Sequence, residues 1–406
     1  MYNQITKQTT LIYILAGCLL SFPALMAAGS DTITSMSTST ISKQSKQTPW
    51  GGSWWPMRTG ELAIGWNSSS GRVAWDLPTL SKFDSCLESY TKKCISFLDT
   101  LAADGGRKLS PLMKIDLLSR KINDSLWGPG KNEEKVFIHA TRHELNIHYI
   151  GDNQNHPEWE SRGYAGKCLG WALSSMNHKE PTVHKEVLGI IFEPADLKGI
   201  LATVYHGAQF FISDKNAVGN AYHNNSEANS EEYYEDVLPH DFLNALYKTI
   251  DKGKMIEADL EPGDGVWNYP IFKYELSWQQ TSATQAVGTI RLYFANDEVD
   301  VDSVFSTESV RTDIKTRDLE FSLQMPPGWD GKDLRQATSG AWIGASREQH
   351  PDALILSIDK NWRSDILEYL EDDDFAANIN TELFQEMMLP GEALGSIVDF
   401  LISAYY

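Results

Sequence analysis

The chain changes character at Pro49. Before it, from Ser30 to Thr48, eleven of nineteen residues are Ser or Thr and none is aromatic. Such a stretch buries too little apolar surface to offset its ordering entropy. At Pro49-Trp50-Gly51-Gly52-Ser53-Trp54-Trp55-Pro56, three Trp fall within six residues, which belongs to packed structure. The folded part is therefore expected to begin at residue 49, with residues 29–48 a disordered spacer.

Ahead of the spacer, residues 1–28 carry Lys7, an apolar run from Leu11 to Met26 broken by Pro23, and small residues at Ala27 and Ala28. This is the three-part pattern of a secretory signal, so the protein is expected to be exported, secreted or periplasmic. Leu15-Ala16-Gly17-Cys18 also resembles a lipoprotein box, making a lipid anchor at Cys18 the minority alternative. The residues after Cys18 stay apolar, which argues against it.

At 406 residues the chain has room for two or three domains of roughly 150 residues each. Asp and Glu number 55 against 35 Lys and Arg, a formal charge of -20 that opposes binding to nucleic-acid phosphates. The four cysteines are 18, 86, 94 and 168. Removal of the signal leaves three. In an oxidising compartment Cys86 and Cys94 form a local disulfide; the alternative is two half-buried helical thiols. In either case Cys168 is unpaired, and a nucleophile is one reason to keep a lone thiol in an exported protein.

Residues 77–130 read as mainly helical, with Ser110-Pro111 as cap and first turn before Leu112, Ile115, Leu118 and Ile122. Short strands are expected over Lys135–Ala140, Asn146–Tyr149 and Val187–Phe192, helices from Cys168 and from Pro194, and a polar loop over 213–231. A helix from Pro239 to Asp251 stops at Gly253. Strand-like segments follow at Lys254–Leu260, Tyr269–Trp278, Gly288–Phe294 and Leu319–Leu323. The interleaving predicts an α+β fold with a largely antiparallel sheet. By position, 49–160 is a helical N-terminal part, 161–358 the core and 359–406 an acidic helical tail.

The chemistry centres on Gly163-Tyr-Ala-Gly-Lys-Cys168-Leu-Gly-Trp171-Ala. The glycines and the apolar stripe after the thiol place Cys168 at a helix start. There unpaired N–H groups, together with Lys167, favour thiolate. Gly166 and Gly170 are expected to leave room for a substrate carbonyl, with Trp171 and Gly170 on the substrate side. A thiol nucleophile needs a base, and the base an orienting carboxylate. The downstream candidates are His240, in the first turn of its helix, and Asp259, at the end of the next strand; read alone, they are a surface histidine and a turn acid. His143-Glu144 with His148 is one residue too long for a helical zinc site, and no metal or cofactor is expected.

Six stretches in one order resemble the transglutaminase-elicitor family of oomycete cell-wall glycoproteins and bacterial relatives. They are Pro49–Pro56, Leu109–Asp116, Gly166-Lys-Cys168-Leu-Gly-Trp171-Ala172 with Glu180-Pro181, Phe192–Tyr205, Val266-Trp-Asn-Tyr-Pro270 with Tyr274-Glu275, and Ala341–Gly344 with His350-Pro351-Asp352. The resemblance implies a papain-like, transglutaminase-like core. It implies acyl transfer from a peptide glutamine to a primary amine or water, through a thioester on Cys168. The partners are then a glutamine-bearing protein and an amine donor, with no calcium requirement suggested. The family triad is Cys, His, Asp, carried onto Cys168 and Asp259. The histidine departs: the expected position is Leu243, and His240 lies three residues earlier. His240, another histidine such as His206, and a base-less site all stay open. A thiol peptidase or amidase, and a catalytically silent binding protein on the same fold, are the alternatives.

Overall fold

The computed structural model describes residues 38–68, 72–130, 139–147, 166–207, 212, 214–219, 237–261 and 266–358. The expected signal with Cys18 and the tail expected over 359–406 lie outside these residues. Among the described residues no helix is long and apolar enough to cross a membrane.

The N-terminal helices form where local chemistry supplies caps. Asp76 accepts from the Thr79 N–H and starts α2 (Leu77–Leu87), Thr91 accepts from Cys94 and starts α3 (Lys92–Ala102), and Ser110 accepts from Met113 and starts α4 (Pro111–Trp127). A single turn, α1 (Glu61–Ile64), precedes them. Cys86 and Cys94 are disulfide-bonded, joining α2 to α3. The helix α5 (Ala140–Ile147) takes in the inner ends of the strands expected over Lys135–Ala140 and Asn146–Tyr149; 135–138 and 148–149 lie outside the described residues. Its cap is remote in sequence. The Asp116 carboxylate of α4 accepts from Ala140 N–H (2.6 Å) and Thr141 N–H (3.0 Å), so nothing nearby in the chain announces this helix.

Next come α6 (Cys168–Asn177) and α7 (Pro194–Gly207), packed along each other. Between them the expected strand over Val187–Phe192 is instead a hairpin, β2 (Lys185–Val187) and β3 (Ile190–Phe192). Leu188 (φ 49°) and Gly189 (φ 75°) supply the two left-handed residues of its turn. Gly170 is where α6 and α7 come closest: a Cβ there would run into the Ala202 carbonyl.

The main sheet is antiparallel. Its strands run β4 (Ala217–Gly219), β10 (Ala353–Ile355), β5 (Ile256–Asp259), β6 (Asn268–Ser282), β7 (Gln285–Ala295), β8 (Ile314–Gln324) and β9 (Ser339–Trp342) in spatial order. An additional strand, β1 (Ser39–Gln44), pairs with β6 from Ser39 opposite Trp278 to Gln44 opposite Lys273. This corrects the spacer: six of its residues are ordered by backbone pairing, which needs no buried side chains. The helix α8 (Pro239–Lys248) precedes β5, and Gly253 (φ 78°) ends the turn after it, at the expected stop.

Two cores lie on the two faces of this sheet. One gathers Trp50, Trp55, Phe83, Ile115, Trp171 and Phe192 with α6 and α7; the other gathers Phe242, Leu243, Tyr274, Leu276, Phe321 and Trp342 with α8. Alternation along β5 sends Ile256 and Ala258 into the second core, leaving Glu257 and Asp259 on the α6 side. Neighbouring β10 agrees, with Leu354 in the second core and Ile355 against the first.

Buried ion pairs lie inside the first core. Arg72 and Lys114 both hold Asp196, and Lys198 holds Glu180 at 2.6 Å. Glu180 also accepts from Phe305 and Ser306 N–H, and Lys198 donates to Gly51 O and Ser303 O, tying the Trp-rich segment to α7. Replacing Gly170 with Ala should cost about 3 kcal/mol of stability by overpacking α6 against α7. Urea denaturation measures this, and a loss below about 1 kcal/mol would show that the helices part easily.

Candidate active site at the start of helix α6

The local chain explains where Cys168 sits. Lys167 N–H donates to Trp54 O at 2.7 Å, fixing the residue before the helix against the Trp-rich segment. A Cβ on Gly166 would lie 2.5 Å from the Trp54 ring, so this glycine serves close packing. No side chain caps α6. Cys168 opens the helix as a free thiol, 7% exposed. Among the described residues its sulfur has two partners: it receives the Asn268 Nδ2–H at 3.4 Å and donates to Val266 O at 3.7 Å.

Asn268 opens β6 directly opposite Asp259, the last residue of β5. The pair therefore shares the sheet face that α6 covers. Asp259 is 2% exposed, and its Oδ1 accepts from Trp267 N–H (2.8 Å) and Glu261 N–H (3.2 Å). Burial pushes its carboxyl up to about 6, against the opposing pull of these two N–H groups. Burial likewise holds the neighbouring Glu257 far above the ordinary carboxylate range, helped by the charge of Asp259.

The same desolvation governs the thiol. Cys168 is pushed up to about 11, chiefly by burial; the Asn268 hydrogen bond opposes this, and the charges of Asp259 and Asp297 add to it. The expected thiolate preference at a helix start is outweighed. Lys167 does not help, because its ammonium is turned into a buried pair with Glu144 of α5 at 2.9 Å.

The predicted site residues divide accordingly. Cys168 and Asp259 are brought to one face, but His240 is not with them. It belongs to α8, which packs on β8 and β9 in the second core, and its Nε2 lies 3.7 Å from Asp241. Leu243, the position expected for the family's histidine, is 1% exposed in that same core. Since helix and sheet face are fixed together, neither position of α8 presents a base to Cys168. His206 lies in the last turn of α7 with its backbone nitrogen beside Gly170, but it is not a hydrogen-bond partner of the sulfur. Among the described residues no imidazole is hydrogen-bonded to Cys168.

The substrate-side expectations also change. Trp171 is fully buried in the first core, its ring against Gly52, and Gly170 makes room for α7 rather than for a substrate. The indoles at the site are instead Trp54 and Trp267, both half-exposed, with ring centroids 5.3 Å apart. Asn268 was missed because its role depends on the β5–β6 register; the Trp267-Asn268-Tyr269 string was visible, its opposite number was not.

His139 bridges Asp84 and Glu88 at 2.8 Å each, and His143 is pushed down to about 4 by burial and by Lys167. No group of three His, Cys, Asp or Glu is placed to hold a metal ion among the described residues.

Residues 157–302 match the family model of the transglutaminase elicitor. The matched span contains the Cys168 motif, α6, α7, Asp259 and Asn268, while the Trp-rich opening motif and the Trp342 region lie outside it. The crystal structure of the GP42 transglutaminase from Phytophthora sojae is a structural match with a TM-score of 0.45 and 17% identity, covering 80% of this chain and 86% of that one. No curated protein matches the chain.

Two measurements follow from the site's electrostatics. A thiol at about 11 rather than 9.0 should be alkylated by iodoacetamide at pH 7 about 100-fold more slowly than in the unfolded chain, before any steric protection. Equal rates would contradict the burial argument. Asp259, raised from 3.8 to about 6, binds its proton more tightly when folded, so its contribution is intact below pH 3.8 and is lost as pH rises toward 6. Asp259→Asn should therefore gain up to roughly 3 kcal/mol relative to wild type across that interval. Denaturation at a series of pH values reads it, and a pH-independent difference rejects it.

Proposed function

We propose that this chain is an exported acyltransferase of the transglutaminase type, with Cys168 as its acyl-accepting thiol. The observation that carries the reading is the convergence of Cys168, Asn268 and Asp259 at the uncapped start of α6. In the reaction the sulfur attacks the side-chain carboxamide carbon of a protein glutamine. The C–N bond breaks, ammonia departs with the thiol's proton, and a thioester remains. A primary amine then attacks the thioester, or water attacks it to give glutamate. The helix-start N–H groups and Asn268 Nδ2 supply donors for the negative charge that develops on the carbonyl oxygen.

Asp259 is the proton acceptor we assign. With the carboxyl at about 6 and the thiol at about 11, the transfer is uphill by roughly 7 kcal/mol. A turnover of about 10 per second allows a barrier of about 16 kcal/mol, so this cost fits within it. The resting enzyme holds a neutral thiol, and ionisation accompanies attack. Export is supported by the N-terminal apolar run and by the Cys86–Cys94 disulfide, a bond that persists in oxidising compartments.

One observation favours a second reading, a silent binding protein on the same fold: no imidazole is hydrogen-bonded to the sulfur among the described residues. Incubation with a glutamine-bearing protein and biotinylated pentylamine separates the two. Amine-linked product is expected from the wild type and should be absent from Cys168→Ala. Equal product from both removes Cys168 from the mechanism, no product from either supports the silent reading, and backbone cleavage marks a peptidase.

A further inference from the structure

A second carboxylate stands beside the thiol, and the steps above do not use it. Asp297 follows β7 after Asn296, whose N–H donates to Asp313 O at 2.7 Å and whose carbonyl accepts from Gly52 N–H at 3.1 Å. The Asp297 side chain is 1% exposed. Its Oδ2 accepts from Trp267 Nε1 at 2.5 Å. Its Oδ1 is buried and accepts no hydrogen bond from another residue among the described residues. Lys315, whose charge reaches Asp297, is paired with Glu298 at 2.9 Å.

Trp267 links this carboxylate to the reacting sulfur. Its main-chain N–H is held by Asp259, its ring by Asp297, and the next residue, Asn268, donates to Cys168. The ring of Trp54 lies 5.3 Å away, and the carbonyl of Trp54 holds the residue before Cys168. The charge of Asp297 is felt at the thiol. A buried carboxylate oxygen that lacks a donor from another residue calls for a cationic one, and two half-exposed indoles beside it favour a cation further. A primary ammonium meets both demands: it is compact, positively charged and carries three N–H donors.

We propose that Asp297 is the anchor for the acyl acceptor, its Oδ1 receiving the primary ammonium of the incoming amine and holding it against the thioester on Cys168. This rests on the acyl-transfer reading of Cys168. The ammonium gives one proton to the Asp297 carboxylate, and the freed amine attacks the thioester carbon. The C–N bond forms, the C–S bond breaks, and a second nitrogen proton goes to the departing sulfur. The products are the substituted amide, the Cys168 thiol and a protonated Asp297, which returns its proton to water.

The test is the partition between the two acceptors. With a fixed glutamine substrate and pentylamine, mass spectrometry gives the ratio of amine-linked to deamidated product. Asp297→Asn should lower that ratio about tenfold, with partial recovery at high pentylamine, because the lost group acts on the amine and not on water. An unchanged ratio overturns the proposal. A readout that needs no variant is Trp emission of the wild-type protein: pentylamine should change it saturably, and pentanol should not. Equal responses to both overturn the ion pair. A wild type that deamidates but never links amines overturns this inference alone; one that does neither overturns the acyl-transfer reading and this inference with it.

Discussion

The pairing of Asp259 with Asn268 across β5 and β6 is the contact on which the site depends. Period-two alternation sends one member of each adjacent pair to each face, so this register puts a carboxylate and an amide together under the start of α6. A slip of one residue would turn Asp259 into the core lined by Phe242 and Tyr274 and bring Ala258 under the thiol. The two N–H groups that Asp259 accepts, from Glu261 and Trp267, hold the connection between the strands against the same carboxylate. Register, connection and site chemistry are one construction.

What this construction produces is a quiet thiol. A helix start offers a few tenths to about 1 kcal/mol to a nearby anion at an exposed position. Full burial beside two carboxylates costs more, and the balance moves Cys168 up to about 11. Lys167, the nearest cation in sequence, is drawn into its buried pair with Glu144. Reactivity at such a centre has to be generated as the substrate arrives, when water is displaced and a carbonyl is presented to the sulfur.

The Trp-rich segment shows how distant parts of the chain are held to this centre. Gly51 N–H bonds Asp313 at 2.7 Å, Trp50 Nε1 bonds His178 O at 3.1 Å, and Trp54 O takes the amide before Cys168. Gly52 and Gly166 lack side chains because the rings of Trp171 and Trp54 lie against them. Glycines that suggested space for a substrate instead let aromatic rings and helix backbones meet.

By itself the sequence determined what depends on neighbours a few residues away. The cap at Ser110, the four long or central strands and the helix opening at Cys168 follow from short-range chemistry and spacing, and the spacing of Cys86 and Cys94 allowed the disulfide that the structure forms. Only the tertiary structure decided what depends on residues brought from afar. It capped α5 with Asp116, folded Val187–Phe192 into a hairpin, ordered Ser39–Gln44 on β6, and put His240 and Leu243 on the face of the sheet away from the sulfur. Linear spacing fixes which side chains share a helix or strand. It does not fix which face of a sheet a helix covers, and desolvation, which sets the proton affinities of Cys168 and Asp259, arises only once that choice is made.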